Sequence, residues 1–374
     1  MKIVFISPTF PLRGGIARYG TYLLNALKER HNCLGIGFKK LYPSLLFPGK
    51  SQLERSAIPT DGTEVLRILH YGRPGTWIKA FREIKNFQPD CVIITWWVPF
   101  WAIHLGWLAR ALAPICPVIF LCHNVLPHEQ RRFDAKLIHW ALRPGHGYIV
   151  HSEDNRSQLL DWFPQAKVIR REHPIYELVG QRGLSREKAR KSLKISGRML
   201  LFFGLIRPYK GLDVAIEAFS ELGPQYNDLK LWVAGEFWED GARYRSLIEK
   251  YGLQNRVIIE PGYFSDEDLA ERICASDGVI LPYKSATGSG VLANAFAMDR
   301  PVIATRVGCF KEMVQPDVNG VLCEPDNAES LATAIEDFFS GEGPGRFDEG
   351  IQEAKNKFTW DAIVDAAMEL TGHG

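Results

Sequence analysis

Short apolar runs alternate with amphipathic stretches along the first half of the chain. Five runs rich in Val and Ile predict strands: 2–8 (KIVFISP), 64–70 (EVLRILH), 90–96 (DCVIITW), 117–123 (PVIFLCH) and 147–153 (GYIVHSE). They are apolar without clean alternation, which is typical of parallel strands covered on both faces. Helical stretches such as 17–30 and 135–143 lie between several of them. This alternation predicts a doubly wound parallel α/β sheet.

The same pattern restarts in the second half. A polar, basic connector with a helix from Ser185 is followed by strand-like runs at 199–204, 229–235, 256–262, 278–283 and 301–305. We therefore predict an N-terminal domain over 1–172, a linker over 173–196 and a C-terminal domain over 197–355. The final segment, 356–374, is predicted to be a helix that packs back on the N-terminal domain. Ligands of such sheets bind beyond the carboxyl ends of the strands, so we expect function in a cleft between the halves.

Composition fits a globular cytoplasmic protein. The 374 residues are 46% apolar and 24% charged. Met1 leads directly into the first strand pattern, which predicts no cleavable signal peptide. The long apolar stretch over 98–120 contains His104, Arg110 and three prolines, so it predicts a helix and a buried strand rather than a membrane span. Seven scattered cysteines without CxxC or zinc spacing indicate reduced thiols.

Charge is unevenly divided between the halves. Residues 1–172 hold 23 Lys and Arg against 12 Asp and Glu, a balance of +11, whereas residues 173–374 have a balance of −9. An excess of this kind favours an acidic partner for the first half, although a plain solvated surface also explains it. The basic and apolar segment 38–50 (FKKLYPSLLFPGK) predicts either contact with an anionic membrane or packing across the sheet edge.

Two glycine turns open helices directly after predicted strands. Gly14-Gly15 follows the first strand, and residues 287–290 (TGSG) follow the strand at 278–283. Free N–H groups and the dipole at a helix N-terminus favour an anion, so each turn is either an anion site or only a tight turn. The spacing of Gly14, Gly15 and Gly20 differs from that of the dinucleotide-binding GxGxxG motif.

Charged residues at other strand ends favour the anion-site interpretation. Arg207 and Lys210 follow the strand at 199–204, where a helix N-terminus would ordinarily attract acids, and together they would neutralise a diphosphate. His123 at the end of the fourth strand, with His128 nearby, is a candidate substrate contact. The acidic triplet after Ser265 predicts a capped helix rather than a metal site.

Taken together, these residues resemble the retaining glycosyltransferases of family 4, which have the GT-B fold of two Rossmann-like domains facing each other across a cleft. The resemblance runs over nearly the whole chain and is strongest in the second half. It rests on Gly14-Gly15, His123, Arg207, Lys210, Ala234-Gly235-Glu236, Glu312, Asn319-Gly320 and Trp360.

Two departures from the family concern its usual pair of glutamates, separated by seven residues. Their positions here hold Ala286 and Asn294. Asn294 retains hydrogen-bonding capacity for a ribose, whereas Ala286 replaces a side chain that ordinarily lies near the sugar. A third departure is Leu205, where relatives often have their arginine, so the role of Arg207 is inferred from its chemistry.

The resemblance implies a retaining hexosyltransferase that needs no metal and no cofactor. It would move a hexose from a UDP- or GDP-sugar to a hydroxyl of a glycan or lipid-linked acceptor, in cell-surface polysaccharide or glycolipid synthesis. The alternatives are a catalytically weak or inactive sugar-nucleotide sensor or scaffold and, from a binding class, a polyanion-binding protein. The sequence has no nucleic-acid motif, so nucleic acid is not an expected partner.

Three groups of residues carry these expectations. The catalytic candidates are His123, Arg207 and Lys210. The donor-binding candidates are Gly14, Gly15, Gly235, Gly262, Thr287, Gly288, Ser289, Gly290, Val291, Leu292 and Asn294. The candidates for acceptor or membrane contact, at the inner face of the cytoplasmic membrane, are Arg18, Lys39, Lys40 and Asn124.

Overall fold

The computed structural model describes residues 1–43, 52–53, 64–127, 134–175 and 183–372. The chain divides into two compact units. The first comprises Met1–Pro174 together with Thr359–Gly374, and the second comprises Ile175–Phe358.

A seven-stranded parallel sheet forms the centre of the first unit. Its strands are β1 (Lys2–Ile6), β2 (Asn32–Lys40), β3 (Val65–His70), β4 (Cys91–Trp96), β5 (Val118–Cys122), β6 (Gly147–Val150) and β7 (Lys167–Arg170). Their order in space is β3-β2-β1-β4-β5-β6-β7, and all neighbouring pairs are parallel. The connecting helices are α1 (Gly15–Arg30), α2 (Pro74–Phe87), α3 (Ala102–Leu112), α4 (Asp134–Leu142) and α5 (Glu153–Trp162). Since β4 and β5 are buried along their whole length, both faces of the sheet centre are covered.

The second unit repeats this plan with six parallel strands. They are β8 (Met199–Ile206), β9 (Lys230–Phe237), β10 (Val257–Pro261), β11 (Gly278–Leu281), β12 (Val302–Thr305) and β13 (Gly320–Cys323), in the order β10-β9-β8-β11-β12-β13. The helices are α6 (Arg186–Ser192), α7 (Leu212–Glu221), α8 (Ala242–Lys250), α9 (Asp266–Ala275), α10 (Gly290–Ala297), α11 (Phe310–Met313), α12 (Ala328–Phe338) and α13 (Asp348–Lys357).

The last helix, α14 (Trp360–Thr371), belongs to the first unit and packs beside α1. Its N-cap is Thr359, whose hydroxyl accepts a hydrogen bond from the N–H of Ala362. The Trp360 ring stacks on Tyr22 and meets the edge of Tyr19. Apolar residues of α14 share one core with β1 and α1, so one face of the first sheet is completed by residues from the far end of the chain.

The predicted doubly wound architecture of both halves is confirmed. Every strand predicted above is present, and Ser265 caps α9 as expected by accepting from the N–H of Asp268. The apolar runs given above do not include β2, β7 or β13. In β2 the glycines at 35 and 37 interrupt the apolar run. A Cβ on Gly35 would lie 2.9 Å from Leu24 of α1, and a Cβ on Gly37 would lie 2.8 Å from Val65 of β3. Because neighbouring side chains pack closely at these two positions, glycine stands where a typical strand pattern would have Val or Ile.

Candidate active site

The loops after β8 and β11 lie side by side in the second unit. The strand order reverses at this point, because β8 continues to β9 on one side and has β11 on the other. Open α/β sheets bind ligands at such switch points, beyond the carboxyl ends of the strands. The N–H of Lys284, in the loop after β11, donates to the carbonyl of Tyr209, after β8, at 2.7 Å. This bond fixes the two loops that carry most of the predicted donor-binding residues.

Arg207 and Lys210 both stand in the loop after β8. Among the described residues neither side chain forms an ion pair, whereas other cations of this unit are neutralised, as Lys284 is by Asp326 and Arg243 by Asp213. The guanidinium of Arg207 lies 4.6 Å from the centre of the Trp238 ring. Two cations without carboxylate partners, three residues apart at a ligand-binding edge, match the charge of a diphosphate.

Lys210 is almost completely buried, with 6% of its surface exposed. Its Nζ lies 5.2 Å from the centre of the Tyr283 ring and close to Gly204. Burial, and next the charge of Arg207, lowers the pKa of Lys210 to about 7. A buried amine with this pKa is poised to become an ammonium when an anion arrives. Gly204 leaves the necessary space, since a Cβ there would lie 3.1 Å from Nζ.

The predicted glycine turn leads into α10, which begins at Gly290. Ser289 is its N-cap, and the Ser289 hydroxyl accepts a hydrogen bond from the N–H of Leu292 at 3.2 Å. The structure therefore differs from the sequence expectation at Leu292, whose amide is already bonded to the cap. The N–H groups of Gly290 and Val291 lie in the first turn, which lacks intrahelical acceptors, and Gly288 is exposed beside them.

The two positions where the family has glutamate are both buried. Asn294 is 6% exposed, and its Oδ1 has no hydrogen-bond partner in the described part of the chain. Ala286 is equally buried, and its carbonyl accepts from the N–H of Cys309 at 3.0 Å. Gly308, with φ +42°, passes so close to the Ala286 carbonyl that a Cβ would lie 1.6 Å from the oxygen. The loop after β12 thus packs directly on the turn that precedes α10.

The other predicted donor residues of this unit differ in their surroundings. Gly235 is explained by packing, because a Cβ there would lie 2.0 Å from the carbonyl oxygen of Gly204 on β8. Gly262 follows β10 with φ +155° and open space around it. Thr287 is half-buried in the turn before α10.

In the first unit, Gly14-Gly15 form an exposed and uncapped start to α1. Gly14 has φ +110° and is the N-cap, no side chain caps the helix, and a Cβ at either glycine would meet nothing within 4 Å. The loop follows β1, beside the point where the strand order reverses between β1 and β4. A ligand therefore has room to approach the first-turn N–H groups closely.

His123 is the first residue after β5 and is buried against Tyr19, with ring centres 4.5 Å apart. Its Nε2 has no hydrogen-bond partner in the described residues. Burial, followed by His151 and His173, lowers the pKa of His123 well below its usual value. The imidazole is therefore neutral near pH 7, and a neutral ring can offer or accept a hydrogen bond but supplies no fixed charge.

Two histidines beside His123 were missed by the sequence reasoning. The ring of His151 lies 5.2 Å from that of His123 and 5.5 Å from that of His173, and both His151 and His173 pack on Tyr19. Burial lowers the pKa of His151 to about 4 and that of His173 to about 3. A usable signal was present, because His151 follows β6 as directly as His123 follows β5.

The predicted acceptor or membrane residues are spread over the first unit. Arg18 lies half-buried on α1, and Asn124 is half-buried directly after His123. Lys39 and Lys40 end β2, and Lys39 is exposed. Residues 44–50 of the basic and apolar segment, and His128, lie outside the described residues.

No described helix has both the length and the apolar character needed to cross a membrane. Within the same residues no group of three or more His, Cys, Asp or Glu side chains is arranged to hold a metal ion.

Two family models match consecutive parts of the chain. "Glycosyltransferase Family 4" matches residues 13–171, and "Glycosyl transferases group 1" matches residues 185–357. The two parallel-sheet units also match solved structures over nearly their full length. One is HepE of Anabaena in complex with UDP, with a TM-score of 0.74, 18% identity and 99% coverage of both chains. The architecture is therefore that of a GT-B glycosyltransferase. The chain belongs to the family 4, group 1 glycosyltransferases.

Curated relatives match at moderate identity over part of their length. The D-inositol 3-phosphate glycosyltransferase of Xylanimonas cellulosilytica is 27% identical over 184 residues, which are 49% of this chain and 44% of that protein. The GDP-mannose:glycolipid 4-beta-D-mannosyltransferase of Xanthomonas campestris is 29% identical over 201 residues, 50% of each chain. The matched region thus spans about half the length of these relatives.

Proposed function

We propose that this protein transfers a hexose from a nucleoside diphosphate sugar to a hydroxyl group, with retention of anomeric configuration. The observation that carries the proposal is the pair of unpaired cations, Arg207 and Lys210, beside the start of α10 at the switch point of the second sheet. The donor is a UDP- or GDP-sugar. Family membership supports this class of donor, as do a relative named for its use of GDP-mannose and a similar structure solved with UDP bound.

The chemistry follows from where charge develops. As the glycosidic bond breaks, the leaving nucleoside diphosphate gains negative charge, which Arg207, Lys210 and the first-turn N–H groups of α10 stabilise. These groups supply the charge stabilisation that a divalent cation would otherwise provide, so the reaction proceeds without metal. The incoming hydroxyl attacks on the face that the phosphate leaves, and a phosphate oxygen accepts its proton. No protein nucleophile is then required.

The first unit supplies the acceptor side of the reaction. Neutral His123, with its unpartnered Nε2, offers a hydrogen bond to a substrate hydroxyl. The uncapped start of α1 at Gly14-Gly15 receives a negatively charged or hydroxyl-rich group of a substrate. The acceptor is a glycan or a lipid-linked glycan of a cell-surface polysaccharide or glycolipid.

Reversible contact with the inner face of the cytoplasmic membrane completes the proposal. The outer faces of α3 and α4 expose Ile103, Trp107 and Trp140, which are 63%, 42% and 38% exposed. Helices α2, α3 and α4, together with the residue directly after α4, carry six basic residues and only two acidic ones. The basic residues are Lys79, Arg82, Lys85, Arg110, Lys136 and Arg143, and the acidic residues are Glu83 and Asp134. Exposed aromatic and aliphatic side chains within a basic surface suit an anionic bilayer.

Donor hydrolysis tests the proposal without knowledge of the acceptor. The protein is incubated with a panel of UDP- and GDP-sugars, and release of free nucleoside diphosphate is followed with and without excess EDTA. We expect slow release from one donor, undiminished by EDTA and lost in Arg207→Ala. Loss in EDTA with rescue by magnesium would contradict the metal-free mechanism.

A second candidate function is a sugar-nucleotide sensor that binds without turnover. It is favoured by Ala286, since the position where relatives carry a glutamate near the sugar is filled by an apolar residue packed under Gly308. Binding of a nucleotide sugar that stays intact over hours, including with candidate acceptors present, would select this alternative.

A further inference from the structure

The Trp238 ring is the one described side-chain contact that holds Arg207, since this guanidinium has no ion pair or side-chain hydrogen bond among the described residues. Other arginines of the second unit are held differently. Arg272 pairs with Glu260, and Arg198 pairs with Asp228. An aromatic ring attracts a guanidinium without cancelling its charge, whereas a carboxylate partner would compete with any anionic ligand.

Trp238 is itself fixed at the same end of the sheet. It directly follows β9, and its backbone N–H donates to the carbonyl of Ile206 at 3.1 Å, which continues the β8–β9 ladder by one bond. The indole Nε1–H donates to the carboxylate of Glu236 at 3.4 Å. The ring is thus tied both through its backbone and through its nitrogen, directly beside the residue that precedes Arg207.

We propose that Trp238 is a positioning residue that holds the Arg207 guanidinium at the diphosphate site. The proposal rests on the function proposed above and adds a residue that the family resemblance does not assign. A long arginine side chain loses conformational freedom when it binds an anion. Because the ring and its bond to Glu236 restrict Arg207 beforehand, less of this freedom remains to be lost when the donor binds.

Trp232, within the strand that Trp238 follows, provides a matched control. It is also half-buried, its indole also donates to a carboxylate, that of Glu260, and its ring lies 6.0 Å from an arginine, Arg272. Arg272, however, is already neutralised by Glu260. Removing Trp232 therefore tests the general effect of losing a tryptophan from β9 without touching Arg207.

The experiment is calorimetric titration of UDP and GDP into wild type, Trp238→Ala, Trp238→Phe, Trp232→Ala, Arg207→Ala and the Arg207→Ala/Trp238→Ala double variant. We expect Trp238→Ala to weaken binding of the preferred diphosphate three- to tenfold. Trp238→Phe, which keeps an aromatic face, should stay within about twofold of wild type. Trp232→Ala should bind normally, and Trp238→Ala should have no further effect once Arg207 is absent.

Each outcome has a defined meaning. Equal losses from Trp238→Ala with and without Arg207 would overturn the proposal, because Trp238 would then contact the ligand or support the fold directly. Normal binding by Trp238→Ala while Arg207→Ala binds weakly would also overturn it, and would leave the proposed function intact. If wild type binds neither diphosphate, the proposed function itself fails.

Discussion

At the scale of single residues, Lys210 has the most informative environment. Its burial is matched by no carboxylate in the described part of the chain, and its pKa of about 7 follows from that burial and from the neighbouring Arg207. An unliganded protein gains nothing from such an arrangement, since an uncompensated buried amine reduces stability. A diphosphate ligand changes the balance because it supplies the missing counter-charge.

Diphosphate binding should therefore depend on pH through Lys210. Bound phosphate oxygens raise the pKa of the ammonium, so the complex keeps a proton that the free protein loses above pH 7. We expect the affinity for a nucleoside diphosphate to fall from pH 7.5 to 9, approaching about tenfold per pH unit. Calorimetry across this range measures the slope. In Lys210→Arg, whose guanidinium stays protonated, the affinity should not change with pH over this range. A slope equal to that of wild type in this variant would assign the proton to another group.

At the scale of elements, the start of α10 combines an observed helix cap with the proposed binding site for the donor diphosphate. The Ser289 hydroxyl caps the helix by accepting from the N–H of Leu292. The N–H groups of Gly290 and Val291 lie in the first turn, where they have no intrahelical acceptor. The cap and the proposed anion site thus use separate parts of one turn. Substitutions should separate them.

We expect Ser289→Ala to lower the free energy of unfolding by about 1 kcal/mol through loss of the cap, and to change donor affinity no more than about threefold. Gly290→Val should remain folded and lose donor binding, because its side chain occupies the approach to the first-turn N–H groups. The donor affinity of Asn294→Ala should lie between those of the other two variants if Oδ1 of Asn294 bonds to the ribose. Urea unfolding and calorimetry on the three variants check both quantities. Normal binding by Gly290→Val and Asn294→Ala would show that this turn binds no donor.

A second element-scale prediction concerns the buried rings of His151 and His173, which pack on Tyr19 together with Trp360 of α14. Unfolded histidines titrate near pH 6.5, whereas burial keeps the folded His151 and His173 neutral down to about pH 4 and 3. Below pH 6.5 the unfolded state therefore binds more protons, and stability falls as pH falls. Glu172 opposes this effect at His151.

We expect the free energy of unfolding of the first unit to fall by roughly 1 kcal/mol per buried histidine for each pH unit between 6 and 4. Urea midpoints at pH 7.5, 6 and 5 measure it. The substitution His151→Gln should reduce the dependence of the unfolding free energy on pH. A pH dependence that runs parallel to wild type would remove His151 from this explanation.

The sequence predicts elements better than it predicts contacts. The strands at the buried centres of the two sheets are recognisable in the sequence as runs rich in Val and Ile. The loops after these strands contain Arg207, Lys210 and the turn before Gly290. The pattern missed β2, whose Gly35 and Gly37 serve tight packing. It also could not assign the Leu292 amide to Ser289, nor bring His173 beside His123, because both depend on geometry that local periodicity does not encode.

At the scale of the whole molecule, the charge excess of the first half and the exposed apolar side chains of α3 and α4 belong to the same unit. We expect co-sedimentation with vesicles containing anionic lipid and little with neutral vesicles, reduced by high salt. Ile103→Glu/Trp107→Glu should lower binding at least tenfold. Ile258→Glu, at an exposed position of the second unit, should not. Equal binding to neutral vesicles, or no loss in the double variant, would contradict membrane contact through this surface.

The most direct test is diphosphate binding by wild type and by the Arg207→Ala/Lys210→Ala double variant. We predict that one of UDP and GDP binds wild type, and that each single substitution weakens it by about 1.5 to 3 kcal/mol, because charged oxygens lose their partner. The double variant should bind still more weakly, and affinity for the matching nucleoside should be unchanged in all variants. A double variant that stays folded and binds the diphosphate as tightly as wild type would contradict the assignment of the donor site.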